Sequence, residues 1–222
     1  MTVTPGAAND IDRLEPLWLH VHAVHQESAP ELGPWVDDAT TWAKRRELYG
    51  HCLSNPDSFL LLAARDERLV GYALVTVEPD GDVLWNDSWV VGDRVAELES
   101  IAVLPEEQGR GIGMYLLQVV DEELERRGID DLVIGAVPGN PAVQFYERRG
   151  FTPNWVILSR FASRGVSWRV LSRQDCTQMA PASPRQAADC GHVTRFRGSR
   201  WRRSRRDASG QDGTSREPTS SG

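Results

Sequence analysis

Apolar and polar positions follow two different periods along this chain, and together they predict a mixed fold of strands and helices. Apolar runs typical of strands occur at residues 2–4, 59–64, 69–77, 98–104, 132–137 and 155–161. Apolar residues at helical spacing predict helices over residues 10–27, 37–53 and 114–127, with a short helix after Asn140. This order of elements predicts a sheet with helices packed on it.

A glycine-rich turn joins the strand at residues 98–104 to the helix at residues 114–127. Pro105 ends the strand, and the turn reads Gln-Gly-Arg-Gly-Ile-Gly over residues 108–113. Glycines allow several backbone N–H groups to point at one spot, and the helix dipole adds positive potential there. The turn therefore predicts an anion site. Its spacing fits neither the dinucleotide fingerprint nor the phosphate-binding loop of NTPases.

A second segment follows the strand at residues 132–137. Asn140 suits a helix N-cap, Pro141 suits the first helical position, and Gly150 suits the end of the helix. Phe145 and Tyr146 lie on this short helix. By themselves these residues predict only a short, capped helix.

The two segments together resemble the acetyl-CoA signatures of the GNAT superfamily of N-acetyltransferases. They comprise Gln108-x-x-Gly111-x-Gly113 after a strand ending at Val103, and then Asn140, Phe145-Tyr146 and Gly150-Phe151. The resemblance implies the GNAT fold, in which a central mixed, mostly antiparallel twisted sheet is flanked by helices. It also implies acetyl-CoA as a co-substrate, with no metal.

The resemblance further implies which residues hold the cofactor. The diphosphate would rest on the glycine turn and the start of the helix, and the pantetheine arm would pair with the strand before them. Asn140 would contact the pantetheine or fix the following helix. The implied cofactor residues are Ile101, Val103, Gln108, Gly109, Arg110, Gly111, Gly113, Met114 and Asn140.

Acetyl transfer to an amine requires removal of a proton from that amine. An alkyl ammonium with a pKa near 10.4 costs about 4.6 kcal/mol to deprotonate at pH 7, so a general base or a desolvating pocket is needed. The resemblance implies a glutamate base on the motif strand, and both Glu97 and Glu99 fit its register. A regular strand would place both on the face of Ile101 and Val103, whereas the bulge usual in the family could separate them.

The resemblance also implies that Tyr146 protonates the leaving thiolate and that the Val103 N–H stabilises the developing oxyanion. Transfer would be direct, because neither motif contains a cysteine or serine. The alternatives are that the two glutamates are solvated carboxylates and that Tyr146 is a packed aromatic residue.

Charge divides the chain into two parts. Residues 1–162 hold 27 acidic and 13 basic residues, whereas residues 163–222 hold 5 and 12. We therefore expect a GNAT domain over 1–162 and a disordered tail rich in arginine, serine and glycine over 163–222. An acidic body disfavours nucleic acid and favours a cationic acceptor. The basic cluster at residues 200–206 is the only hint of nucleic-acid binding.

Three further features leave alternatives open. His22 and His25 lie one turn apart and suit either a metal or, more simply, a helix surface. Residues 85–89, with two tryptophans around Asp87, suit an acceptor pocket or a packed strand. Trp35 and Trp42 suit either the border of the acceptor groove or the core.

The sequence thus predicts an N-acetyltransferase acting on a small-molecule or protein amine, and the alternative is a non-catalytic sensor that binds acyl-CoA. No apolar run is long enough to span a membrane, and we see no signal peptide. Three scattered cysteines predict neither a disulfide framework nor a metal site. We expect a cytoplasmic enzyme, with a homodimer possible through sheet edges.

Overall fold

Among the residues that the structure describes, five strands form one sheet, in the order β1-β2-β3-β4-β5. The computed structural model describes residues 1–79, 90–154 and 156–157. The strands are β1 (Thr2–Gly6), β2 (Phe59–Arg65), β3 (Arg68–Pro79), β4 (Arg94–Val103) and β5 (Asp131–Val133). Strands β1 to β4 pair antiparallel and β5 pairs parallel with β4, which confirms the predicted mixed, mostly antiparallel sheet.

In the described part of the chain, four α-helices accompany the sheet, together with short 3₁₀ segments. The helices are α1 (Glu15–Ser28), α2 (Asp38–Cys52), α3 (Ile112–Arg127) and α4 (Ala142–Glu147). The 3₁₀ segments are Ala8–Leu14, Pro30–Leu32 and Pro105–Glu107. Asp37 caps α2 by accepting a hydrogen bond from the Thr40 N–H at 2.8 Å.

The sheet separates two apolar clusters. One lies on the α3 face and includes Leu61, Val75, Leu98, Leu116 and Val120. The other lies on the face covered by α1 and α2 and includes Trp18, Trp42, Tyr49, Leu60 and Tyr72. Helices therefore cover both faces of the sheet, and alternate side chains of the central strands enter different clusters.

Element boundaries differ from the sequence prediction at several places. The first predicted helix divides into a 3₁₀ segment and α1 near Pro16, because proline lacks the N–H that a continuous helix would use. Helix α3 begins at Ile112 rather than Met114, since Gly111 with φ +81° turns the chain directly into the helix. Strand β5 ends at Val133 rather than residue 137.

Some sequence predictions lie outside the described residues. They are the possible acceptor pocket at 85–89, most of the last strand at 155–161, and the tail at 163–222. Within the part of the chain that the structure describes, no helix is both long and apolar enough to cross a membrane.

The close approach of β3 and β4 at Gly71 predicts a specific stability effect. A Cβ added at Gly71 would lie 2.8 Å from the Ala102 carbonyl oxygen, a backbone atom that cannot move by itself. We expect Gly71→Ala to lower the free energy of unfolding by about 1–3 kcal/mol in urea titrations. Gly50→Ala is the control, because Gly50 lies in α2 with nothing within 4 Å of an added Cβ. It should stabilise by about 0.5–1 kcal/mol. Equal effects of the two changes would contradict the close contact.

Candidate active site

The sheet opens between β4 and β5. Pairing of these strands covers Val95 to Glu97 only, while β4 stays paired with β3 as far as Val103. The N–H that follows, of Leu104, points to β3 and donates to the Val70 carbonyl at 2.9 Å. Because amide groups alternate in direction along an antiparallel pair, the N–H and C=O groups of Ile101 and Val103 point away from β3. They face the gap where β5 has parted from β4.

The glycine turn lies at the end of this gap. Gly109 and Gly111 have φ values of +75° and +81°, which side chains rarely adopt. An added Cβ would meet nothing within 4 Å at Gly109, and only the Met114 Cε at 3.6 Å at Gly111. No side chain caps the N-terminus of α3. The first N–H groups of α3 therefore lack a side-chain acceptor, and the positions that Cβ atoms would take at Gly109 and Gly111 are open.

Side chains around the turn connect it to its surroundings. The Gln108 amide Nε2 donates to the Val103 carbonyl at 3.2 Å and lies 2.9 Å from His20 Nε2 on α1. Gln108 therefore joins the turn to both the end of β4 and α1. Gly113 lies close to the same strand end, because an added Cβ there would be 3.8 Å from Val103 Cγ2.

A buried carboxylate lies immediately before this turn. Glu107 is 9% exposed and pairs with Arg65 at 2.9 Å and with Arg110 at 3.2 Å. Sequence analysis missed Glu107 and Arg65. The local sequence pattern does not indicate that Arg65, at the end of β2, pairs with Glu107. The one hint is that an acidic residue next to an anion-binding turn requires a cationic partner.

The two candidate base residues lie at the opening of the sheet. In the pairing of β3 with β4, Leu74 faces Ser100 and Val75 faces Leu98, so Glu99 is the extra residue of a β-bulge. Glu99 Oε1 accepts a hydrogen bond from Arg45 Nη1 on α2 at 2.9 Å. The bulge therefore turns Glu99 towards the face of the sheet covered by α1 and α2.

Glu97 lies on that same face. It is opposite Thr76, whose neighbours Val75 and Val77 belong to the cluster on the α3 face. Ile101 and Val103 pack against the α3-side cluster instead. The strand is not regular, so the two glutamates share a face with each other but not with Ile101 and Val103.

The second motif segment contributes from the opposite face. Asn140 Oδ1 accepts from the Ala142 N–H at 2.9 Å, so Asn140 fixes the start of α4. Tyr146 belongs to the α3-side cluster, with ring centroids of Phe145 and Phe151 at 5.3 Å and 5.6 Å. Burial raises the pKa of Tyr146 to about 12. The tyrosine hydroxyl is therefore protonated at neutral pH.

The environments of His22 and His25 on α1 differ. His22 is buried, with Nε2 3.0 Å from the Val36 carbonyl and 2.8 Å from Gln26 Nε2, so its expected place on the helix surface is wrong. Burial, together with nearby Arg45 and then His22, lowers the pKa of His25. Among the described residues, no group of three histidine, cysteine or acidic side chains could hold a metal ion.

The two tryptophans near α2 differ in burial. Trp42 is buried in the cluster under α1 and α2, as the core interpretation predicts. Trp35 is half-buried, and its ring lies edge-on to His22 with centroids 5.8 Å apart. Neither indole ring supplies evidence for the border of an acceptor groove.

Comparison with known proteins gives a consistent result. A model of the acetyltransferase (GNAT) family matches residues 19–151. The mycothiol acetyltransferase of Geodermatophilus obscurus is 30% identical over 156 residues, which cover 70% of this chain and 44% of the relative. That of Thermomonospora curvata is 30% identical over 141 residues, covering 63% and 41%. The chain therefore spans less than half the length of these curated relatives.

A solved structure shares the fold. A predicted acetyltransferase from Clostridium acetobutylicum, described as being with acetyl-CoA, superposes with a TM-score of 0.51 and 16% identity. The likeness covers 71% of this chain and 95% of that one.

The buried Tyr146 predicts a stability change at high pH. Its folded-state pKa of about 12 lies above the ordinary value of 10. The free energy by which the buried, protonated Tyr146 stabilises the fold is fully present below pH 10. It is lost as the pH rises towards 12, because the tyrosine releases its hydroxyl proton at a lower pH in the unfolded chain. Between pH 9 and pH 11, wild type should lose about 1.4 kcal/mol more unfolding free energy than Tyr146→Phe does. Urea titrations at both pH values measure this, and parallel losses would contradict the burial.

Proposed function

This chain belongs to the acetyltransferase (GNAT) family, and we propose that it transfers the acetyl group of acetyl-CoA directly to an amine acceptor. The observation that carries the proposal is the open edge of β4. Backbone groups of Ile101 and Val103 face the gap left by β5, beside the uncapped N-terminus of α3. One site therefore offers an edge for an amide-containing arm and N–H donors for a diphosphate.

The residues around the turn fit this co-substrate. A diphosphate needs several converging N–H donors, and the positive-φ glycines with the first turn of α3 supply them. An extended pantetheine arm can pair with a strand edge as an added strand does. The proposed cofactor residues are Ile101, Val103, Gln108, Gly109, Arg110, Gly111, Gly113, Met114 and Asn140.

Bound acetyl-CoA supplies the thioester from which the acetyl group leaves. In the proposed reaction, Glu97 or Glu99 takes a proton from the acceptor ammonium, and the freed nitrogen then bonds to the acetyl carbon. The Val103 N–H stabilises the charge that develops on oxygen. The carbon–sulfur bond breaks, and Tyr146 gives its hydroxyl proton to the departing sulfur. The extra proton that remains on the acetylated nitrogen is released to solvent, from which Tyr146 regains its own proton. The high pKa of Tyr146 supports this role only in keeping the proton in place until then.

The faces of the sheet support this division of roles. Glu97 and Glu99 lie on the α1 and α2 face, whereas Tyr146 lies in the cluster on the α3 face. Proton removal and proton donation thus occur on opposite sides of β4. Because the curated relatives are named mycothiol acetyltransferases, we include a small-molecule amine related to mycothiol among the acceptors to be tested.

Two glycines at opposite ends of α3 provide a test of cofactor binding. Gly111 and Gly128 both have positive φ, at +81° and +67°. Alanine at either position should cost about 1–2 kcal/mol of stability, because both would hold an L-residue in a left-handed conformation. Only Gly111→Ala should weaken acetyl-CoA binding, by about tenfold or more in calorimetry. Equal affinity of the two variants would place the cofactor elsewhere.

Release of free thiol from acetyl-CoA tests the reaction. Wild type should release thiol with at least one member of a panel of amines that includes mycothiol lacking its acetyl group. We expect Glu97→Gln or Glu99→Gln, whichever removes the base, and Tyr146→Phe to lower kcat by about 10²–10⁴-fold. Glu125→Gln, on an exposed part of α3, is the matched control and should leave kcat unchanged. Cofactor binding without thiol release for every amine would support the sensor alternative instead.

A further inference from the structure

Helix α2 holds the β4 bulge through two side chains one helical turn apart. Arg45 Nη1 donates to Glu99 Oε1 at 2.9 Å. The Tyr49 hydroxyl lies 2.7 Å from that of Tyr72, which lies 2.8 Å from Ser100 Oγ. Because residues four apart share one face of a helix, a single face of α2 reaches both residues of the bulge.

Two aromatic rings also contact the Arg45 guanidinium and help to fix its position. Its guanidinium carbon lies 3.6 Å from the ring centroid of Trp18 and 5.6 Å from that of Tyr49. Trp18 is buried, and its indole N–H donates to Thr41 Oγ1 at 3.2 Å. A planar guanidinium stacked on a fixed ring loses little further freedom when it binds a carboxylate.

The ion pair lies in a sheltered place. The side chains of Arg45 and Glu99 are 21% and 10% exposed, so solvent and salt screen their attraction less than that of a surface pair. The neighbouring residue on α2, Arg46, differs in this respect. It is exposed and pairs with Asp12, also exposed, away from β4.

We propose that Arg45 is a positioning residue, which fixes the Glu99 carboxylate so that Glu99 orients the amine acceptor. This inference rests on the proposed function. A bulge alone sets the direction of the Glu99 Cα–Cβ bond, whereas the paired guanidinium also sets where its carboxylate lies. Orientation of this kind affects rate strongly, since misplacement by about 1 Å can cost about 10²-fold.

The test compares Arg45→Met, Arg45→Lys and Arg46→Met. Methionine keeps much of the length of Arg45 and removes its charge, whereas lysine keeps the charge and loses the planar fork. We expect Arg45→Met to lower kcat with the best amine by about 10²-fold. We expect Arg45→Lys to recover part of that loss, and Arg46→Met to match wild type. Calorimetry should give wild-type affinity for acetyl-CoA in all three, which also shows that each variant is folded.

A double-mutant cycle distinguishes a positioning role of Arg45 from a merely structural one. If Arg45 acts through Glu99, then Arg45→Met in a Glu99→Gln background should lower kcat less than twofold. A full loss in that background, or equal kcat for Arg45→Met and Arg46→Met in an active enzyme, would overturn the inference and leave the proposed function standing. A wild-type chain that binds acetyl-CoA but releases no thiol with any amine would overturn both.

Discussion

The parting of β4 from β5 after Glu97 is the constraint on which the rest of the site depends. Backbone N–H and C=O groups must find partners, and a strand that loses its neighbour on one side leaves a row of them unpaired. Here the Gln108 side chain satisfies the Val103 carbonyl from the glycine turn. The other groups of Ile101 and Val103 on that side face the gap, so a ligand with amides of its own would extend the sheet. In the proposed function, acetyl-CoA therefore gains binding free energy by forming backbone hydrogen bonds with the edge of β4 that β5 leaves open.

A single extra residue in β4 determines which chemistry meets on which face. Before the bulge, Leu98 packs on the α3 face; after it, Ile101 and Val103 pack there, while Ser100 bonds to Tyr72 on the other face. The bulge therefore keeps apolar contacts with α3 on both sides of Glu99 and directs the carboxylate to α2. The proposed base and the proposed acid are then separated by the strand on whose open edge the proposed thioester would lie. This separation keeps a carboxylate from pairing directly with the Tyr146 hydroxyl.

Sequence patterns predicted most of the described elements and the glycine turn well, because strand and helix periods and glycine turns are local properties. The bulge left a weaker trace: apolar spacing along β4 is two between Ala96 and Leu98 but three between Leu98 and Ile101. The local sequence carries no signal of contacts such as that of Arg45 with Glu99, since these contacts depend on how α2 packs across the sheet. The burial of His22 was unpredictable for the same reason, because a loop carbonyl at Val36 is its partner. The length of β5 depends on where it parts from β4, which no residue in its apolar run marks.

The charges of the two proposed substrates act over different distances. Residues 1–162 carry a net charge of −14, which repels an anionic cofactor and attracts an ammonium group. At physiological salt this field falls off over about 8 Å, so donors in contact with the diphosphate can outweigh it. The buried Glu107 adds a negative charge close to these donors, yet it pairs with both Arg65 and Arg110, so the three groups together carry one net positive charge. Glu107 also holds the side chain of Arg110, a residue of the turn, so that this guanidinium loses less conformational freedom when an anion binds. The short-range donors thus serve the anionic substrate, while the acidic surface as a whole favours a cationic one.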